Sequence, residues 1–104
     1  MTDLNTININ FERMNDQARI LEETAGRLDN LNRSEEADFD GTLKTAWEGE
    51  NAALFRAKSA ERRERMDLIK DKLLQEAAAL RSAAQAYIEA ETKALEIAEG
   101  ANLG

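Results

Sequence analysis

Ala46-Trp47-Glu48-Gly49-Glu50-Asn51 lies near the middle of a 104-residue chain and separates two helix-forming halves. Trp47 is the only tryptophan, and Gly49 is one of five glycines. An aromatic and a helix breaker at the midpoint predict an all-α fold: a single domain over residues 1–104, built as an antiparallel helix-turn-helix hairpin. Helix one is expected over about 8–40, the turn over about 41–49 and helix two over about 50–99. Thr45 and Glu48 have the spacing of a capping box, which would start the second helix before Trp47. The favoured reading makes Gly49 the last residue of the turn, with Glu50 and Asn51 opening the helix.

Composition points the same way. The chain has no Pro, Cys, His or Val and carries eighteen alanines, a bias towards helix and against strand. In the first half, Ile7, Phe11, Met14, Ala18, Leu21, Ala25 and Leu28 alternate steps of four and three, the seam of a helix packed at a shallow angle on another. Asn8 or Asn10 can cap the first free amides, placing the helix start near there. After Leu31 the seam is expected to slip, because Ser34 to Gly41 is acidic and poorly patterned. In the second half the predicted stripe is Met66, Ile69, Leu73, Leu80, Ala83, Tyr87, Ala90, Ala94 and Ile97, interrupted by Glu76 and widened by Leu74, Ile88 and Leu95. Gly100 is expected to end the helix.

Two such helices bury little apolar area, since alanine inflates the 42% apolar fraction and only 5% of residues are aromatic. Self-association is therefore expected, most simply as a homodimer or heterodimer forming a four-helix bundle. A long two-stranded coiled coil is the competing geometry, disfavoured by the break at Gly41 to Gly49.

Lack of cysteine and histidine removes disulfides, thiol catalysis, the soft metal ligands and the commonest general base. Asp38-Phe39-Asp40-Gly41 lacks the ligand ladder of a calcium loop. No catalytic residue, cofactor or metal site is expected, and the chain is not read as an enzyme. The net charge of −7 opposes nucleic-acid affinity. The basic residues between Arg56 and Lys72 alternate with Glu61, Glu64, Asp67 and Asp71, with no aromatics to stack bases; Glu61 with Arg65 and Arg63 with Asp67 read as i,i+4 pairs on a solvated face. No nucleic acid and no stable membrane insertion are expected. Met1 to Asn10 has neither the basic region nor the apolar run of a secretory signal peptide.

Two features carry a functional reading. Trp47 and Gly49 mark the bend, where the tryptophan could equally plug the end of a bundle. Tyr87 and Glu91 lie four apart on one helix face, where the tyrosine could equally be a seam residue with its hydroxyl at the edge. Together with Ala52, Ala53 and Phe55 after the bend, and Tyr87-Ile88-Glu89-Ala90-Glu91 late in helix two, they resemble the WXG family of early-secreted-antigen-like proteins over nearly the whole chain. The resemblance implies a substrate of a bacterial type VII (ESX-type) secretion system, made in the cytoplasm and exported folded as a dimer. It also implies a role as an effector or as the co-secreted partner of a larger substrate. Tyr87 and Glu91 would be the secretion signal read by the membrane ATPase of that system. Trp47 and Gly49 of one subunit would complete it beside the other's C-terminal region. A non-secreted cytoplasmic scaffold or adaptor is the alternative.

Overall fold

The computed structural model describes residues 3–38 and 49–103. It is an all-α helical hairpin of two helices, α1 (Leu4–Asp38) and α2 (Glu50–Leu103), of 35 and 54 residues. Trp47, Thr45 and Glu48, with the rest of the expected turn before Gly49, lie outside the described residues.

Both helix starts have a local cause. At α1, Asp3 Oδ1 accepts a hydrogen bond from the Thr6 amide at 2.8 Å, and the Asp3 carbonyl accepts from Ile7 at 3.0 Å. This is an N-cap, and it moves the start of the helix ahead of the expected Asn8 or Asn10. The Thr6 amide holds the Asp3 carboxyl below its ordinary value of 3.8. At α2, Gly49 has φ +107°, and its carbonyl accepts from the Ala53 amide at 3.0 Å. Glycine tolerates that backbone angle and other residues resist it, so Gly49 stands outside the helix and Glu50 opens it, as the sequence favours. At the far end α2 does not stop at Gly100. The helix continues to Leu103, and among the described residues Gly49 alone has a positive φ. Without the left-handed turn that a terminating glycine supplies, Gly100 costs helix propensity but does not break the helix.

The chain divides into two compact units. The first comprises Met1–Leu21 with Gln75–Gly104. Here α1 contributes Ile7 and Ala18, both buried, with Phe11, Met14 and Leu21 half-buried between them, as its spacing predicts. From α2 come the buried Ala77 and Ala84, with Leu80, Tyr87 and Glu91 half-buried. The observed seam of α2 is therefore turned by one residue from the predicted stripe. The two readings share Leu80, Tyr87, Ile88 and Leu95, all half-buried, but Ala77, Ala84 and Glu91 face α1 where Glu76, Ala83 and Ala90 were expected. The reason is the cost at Glu76. The predicted phase would push its carboxylate into the middle of the seam unpaired, whereas the observed phase puts Ala77 there, leaves Glu76 in water and brings a carboxylate only to a half-buried position, at Glu91. Small side chains also let two helix backbones approach closely. One consequence is that Ile97 lies 64% exposed.

The second unit is Glu22–Leu74. Its seam is far more polar. Ala25, Leu28, Met66 and Leu73 share it with Asn32, Glu35, Ser59, Arg63 and Lys70. The seam of α1 does not slip after Leu31; it keeps its spacing through Asn32 and Glu35, and Leu31 is left 63% exposed. Asn32 is 8% exposed, and its Nδ2 donates to the Arg63 carbonyl at 3.3 Å and to Asp67 Oδ1 at 3.0 Å. Lys70 Nζ donates to Asp29 Oδ1 at 3.4 Å, and Arg62 forms an ion pair with Glu35. Residue numbers rise along α1 as their partners' fall along α2, which is antiparallel packing. Asp67 thus takes its hydrogen bond from across the seam and not from the helical pairing with Arg63 that the sequence suggests. Among the described residues, Asn32 Oδ1 and Arg63 Nη1 are buried without a hydrogen-bond partner.

Candidate functional site

Each half of the expected address belongs to a different unit: Gly49 to the second, Tyr87 and Glu91 to the first. Only Gly49 of the bend motif is described, and its role is structural at the level of the backbone. Its φ of +107° lies in the region where a side chain strains the chain, although a methyl group built there meets nothing within 4 Å. The constraint is conformational and not steric.

Tyr87 and Glu91 lie on the unbroken length of α2, one turn apart and on one face. Both are half-buried, so the pair sits at the margin of the seam and not on the open side of the helix. The Tyr87 hydroxyl accepts a hydrogen bond from Asn10 Nδ2 at 3.0 Å. Tyrosine is a flat apolar body with a polar tip, and burial at the edge of a seam suits both parts when the tip finds a partner. Asn10 supplies that partner from α1, one position before the seam residue Phe11. The sequence offered Asn10 only as a possible helix cap. Its position beside the seam was visible in the spacing, but the residue opposite it was not.

In the second unit, an open groove of about 490 Å³ runs beside the seam, with Leu31, Phe55 and Met66 as its apolar lining and Glu35 and Arg62 at its edge. Leu54 and Leu68 are also exposed, at 60% and 64%. Among the described residues no three His, Cys, Asp or Glu side chains gather in a way that could hold a metal ion, and no helix is long and apolar enough to cross a membrane. No protein-family model, curated protein or solved structure gives a significant match to this chain.

Proposed function

We propose that this chain is a non-enzymatic substrate of a type VII (ESX-type) secretion system, made in the cytoplasm and exported folded as a dimer. Tyr87 and Glu91 form its secretion signal, read by the membrane ATPase. The Trp47–Gly49 bend of the second subunit completes the surface. The observation that carries the reading is Gly49. The glycine of the Trp-x-Gly motif stands immediately before α2 with φ +107°, so this position has a physical demand for glycine. The helical hairpin and the single-turn spacing of Tyr87 and Glu91 support it further. A signal presented on a continuous helix has fixed spacing and can be read without unfolding the cargo.

The dimer has its own support. Among the described residues the chain leaves large apolar side chains in water, Leu31, Leu54 and Leu68 among them, each at least 60% exposed. Its fully buried apolar side chains are almost all alanines, with Ile7 the one large exception among the described residues. A second copy, or a related helical partner, would cover Leu31 and the groove that it lines with Phe55 and Met66.

The test compares protein in the culture medium of a secretion-competent strain with that of a strain lacking the secretion ATPase, for wild type and Tyr87→Ala. The reading expects export only from wild type and only with the ATPase present; equal release in all four cases removes it. Sedimentation at micromolar concentration checks the dimer, which a stable folded monomer would contradict.

One observation favours a second reading, a non-secreted helical scaffold or adaptor. Tyr87 already has structural work, half-buried on the seam with its hydroxyl bonded to Asn10. Under that reading the protein stays inside the cell whether or not the ATPase is present.

A further inference from the structure

Tyr87 is held at both ends. Its backbone belongs to α2, while its hydroxyl accepts the Asn10 amide of α1 at 3.0 Å. A tyrosine has only two side-chain torsions, so fixing the hydroxyl fixes the direction of the ring and hence its relation to Glu91 one turn away. That relation exists only while α1 is docked on α2 in the first unit. Glu91 is half-buried on the same face, so undocking α1 would change the surroundings of both groups together.

We propose that Asn10 is a positioning residue of the export signal, and that the signal is conformational: the ATPase reads Tyr87 and Glu91 in the arrangement that Asn10 sets, and so accepts the closed hairpin and refuses an open one. This rests on the export reading and deepens it. α1, which carries neither signal residue, then certifies folding at the point of recognition. An isolated α2 would display the same two side chains at the same spacing but with a free ring.

The experiment uses the full chain with four substitutions: Asn10→Leu, Asn10→Asp, Tyr87→Phe and Tyr87→Ala. Asn10→Leu keeps the branched four-atom outline of the side chain and removes the donor. Asn10→Asp keeps a link in the opposite sense, since its carboxylate accepts from the tyrosine hydroxyl. Tyr87→Phe breaks the link without touching α1. Helix content and unfolding midpoint are recorded for each, and export is measured in a strain with the secretion ATPase. Tyr87 is the only tyrosine, so fluorotyrosine labelling gives a single ¹⁹F resonance that reports the ring directly.

Asn10→Leu is expected to shift that resonance and, with Tyr87→Phe, to lower export roughly two- to tenfold, the factor one net hydrogen bond carries. Asn10→Asp is expected to export within about twofold of wild type. Equal loss in Asn10→Leu and Asn10→Asp overturns the proposal, because it makes Asn10 merely structural. Wild-type export of Asn10→Leu and Tyr87→Phe, with Tyr87→Ala retained in the cell, also overturns it while leaving the export reading standing. Wild-type export of Tyr87→Ala removes the export reading itself. An unmoved ¹⁹F resonance in Asn10→Leu overturns the tether whatever export does.

Discussion

Replacing Asn32 with leucine tests whether the polar part of the seam stabilises the hairpin or only specifies it. Asn32 is 8% exposed and makes two hydrogen bonds, yet its Oδ1 is buried without a partner among the described residues. The substitution gives up both bonds. The one to the Arg63 carbonyl is long, at 3.3 Å, and contributes about 0.5 kcal/mol. The one to Asp67 is shorter, but the Asp67 side chain is 55% exposed and regains water, which holds its loss to about 1 kcal/mol. Against this, removing the unsatisfied oxygen recovers about 1–2 kcal/mol, and burying the leucine adds about 1–1.5 kcal/mol. Asn32→Leu should therefore be more stable by about 1 kcal/mol, raising the unfolding midpoint by roughly 4–8 °C. Urea unfolding followed by far-UV circular dichroism, at two protein concentrations, measures it. An unchanged m value would show that the same surface is exposed on unfolding. The variant should also lose definition: a buried Asn fixes helix register, and without it amide NMR spectra should contain more peaks than wild type. Destabilisation by more than about 1 kcal/mol at constant m would refute the reasoning and make the polar layer a net source of stability.

Other positions test the rest of the fold. Ile7→Ala removes the largest fully buried side chain among the described residues and should cost about 2–5 kcal/mol, measured by the same unfolding curves, whereas Ile97→Ala, at a site 64% exposed, should stay within about 0.5 kcal/mol. Gly26→Ala should stabilise by about 0.5–1 kcal/mol, since Gly26 is helical and a methyl group there meets nothing within 4 Å. Gly49→Ala should cost about 1–2 kcal/mol despite equal free space, because its φ is +107°; parallel unfolding curves for the two glycine variants separate backbone strain from packing. The Asp3 cap should show in the pH dependence of amide exchange at Thr6. The Asp3 carboxyl is lowered from 3.8 in the folded state, so its support is present above that value and is lost as pH falls through the lower folded value. Asp3→Ala should abolish that dependence.

The parts of the fold legible in the sequence were those in which large apolar residues do the packing. From Ile7 to Leu28 the steps of four and three run unbroken and set the phase of the α1 seam, with Ile9 and Ile20 lying off it and exposed. In α2, Ala77-Ala78-Ala79 and Ala83-Ala84 fill both candidate phases with the same small side chain. Ile69 and Ile97 then drew the reading towards the face that the hairpin leaves outside. The polar seam was unreadable for a different reason. Asn32, Glu35 and Lys70 look like surface residues until the opposing helix supplies Asp67, Arg62 and Asp29, and that register is not a local property. The same limit applied to the candidate site. The common face of Tyr87 and Glu91 follows from helical spacing alone, but the bond to Asn10 depends on which residue lies across the seam.

The steps of four and three from Ile7 to Glu35 in α1, answered by Ser59 to Glu91 in α2, also constrain how this chain can change length. One inserted residue turns everything beyond it by about 100°, carrying Asn32 or Ala84 to the solvent side. A whole heptad restores the facing side chains but slides the antiparallel partners past one another unless the other helix gains one too. Viable lengths are therefore quantised. The hairpin can grow or shrink by matched heptads, while single-residue indels are confined to the bend and the two tips.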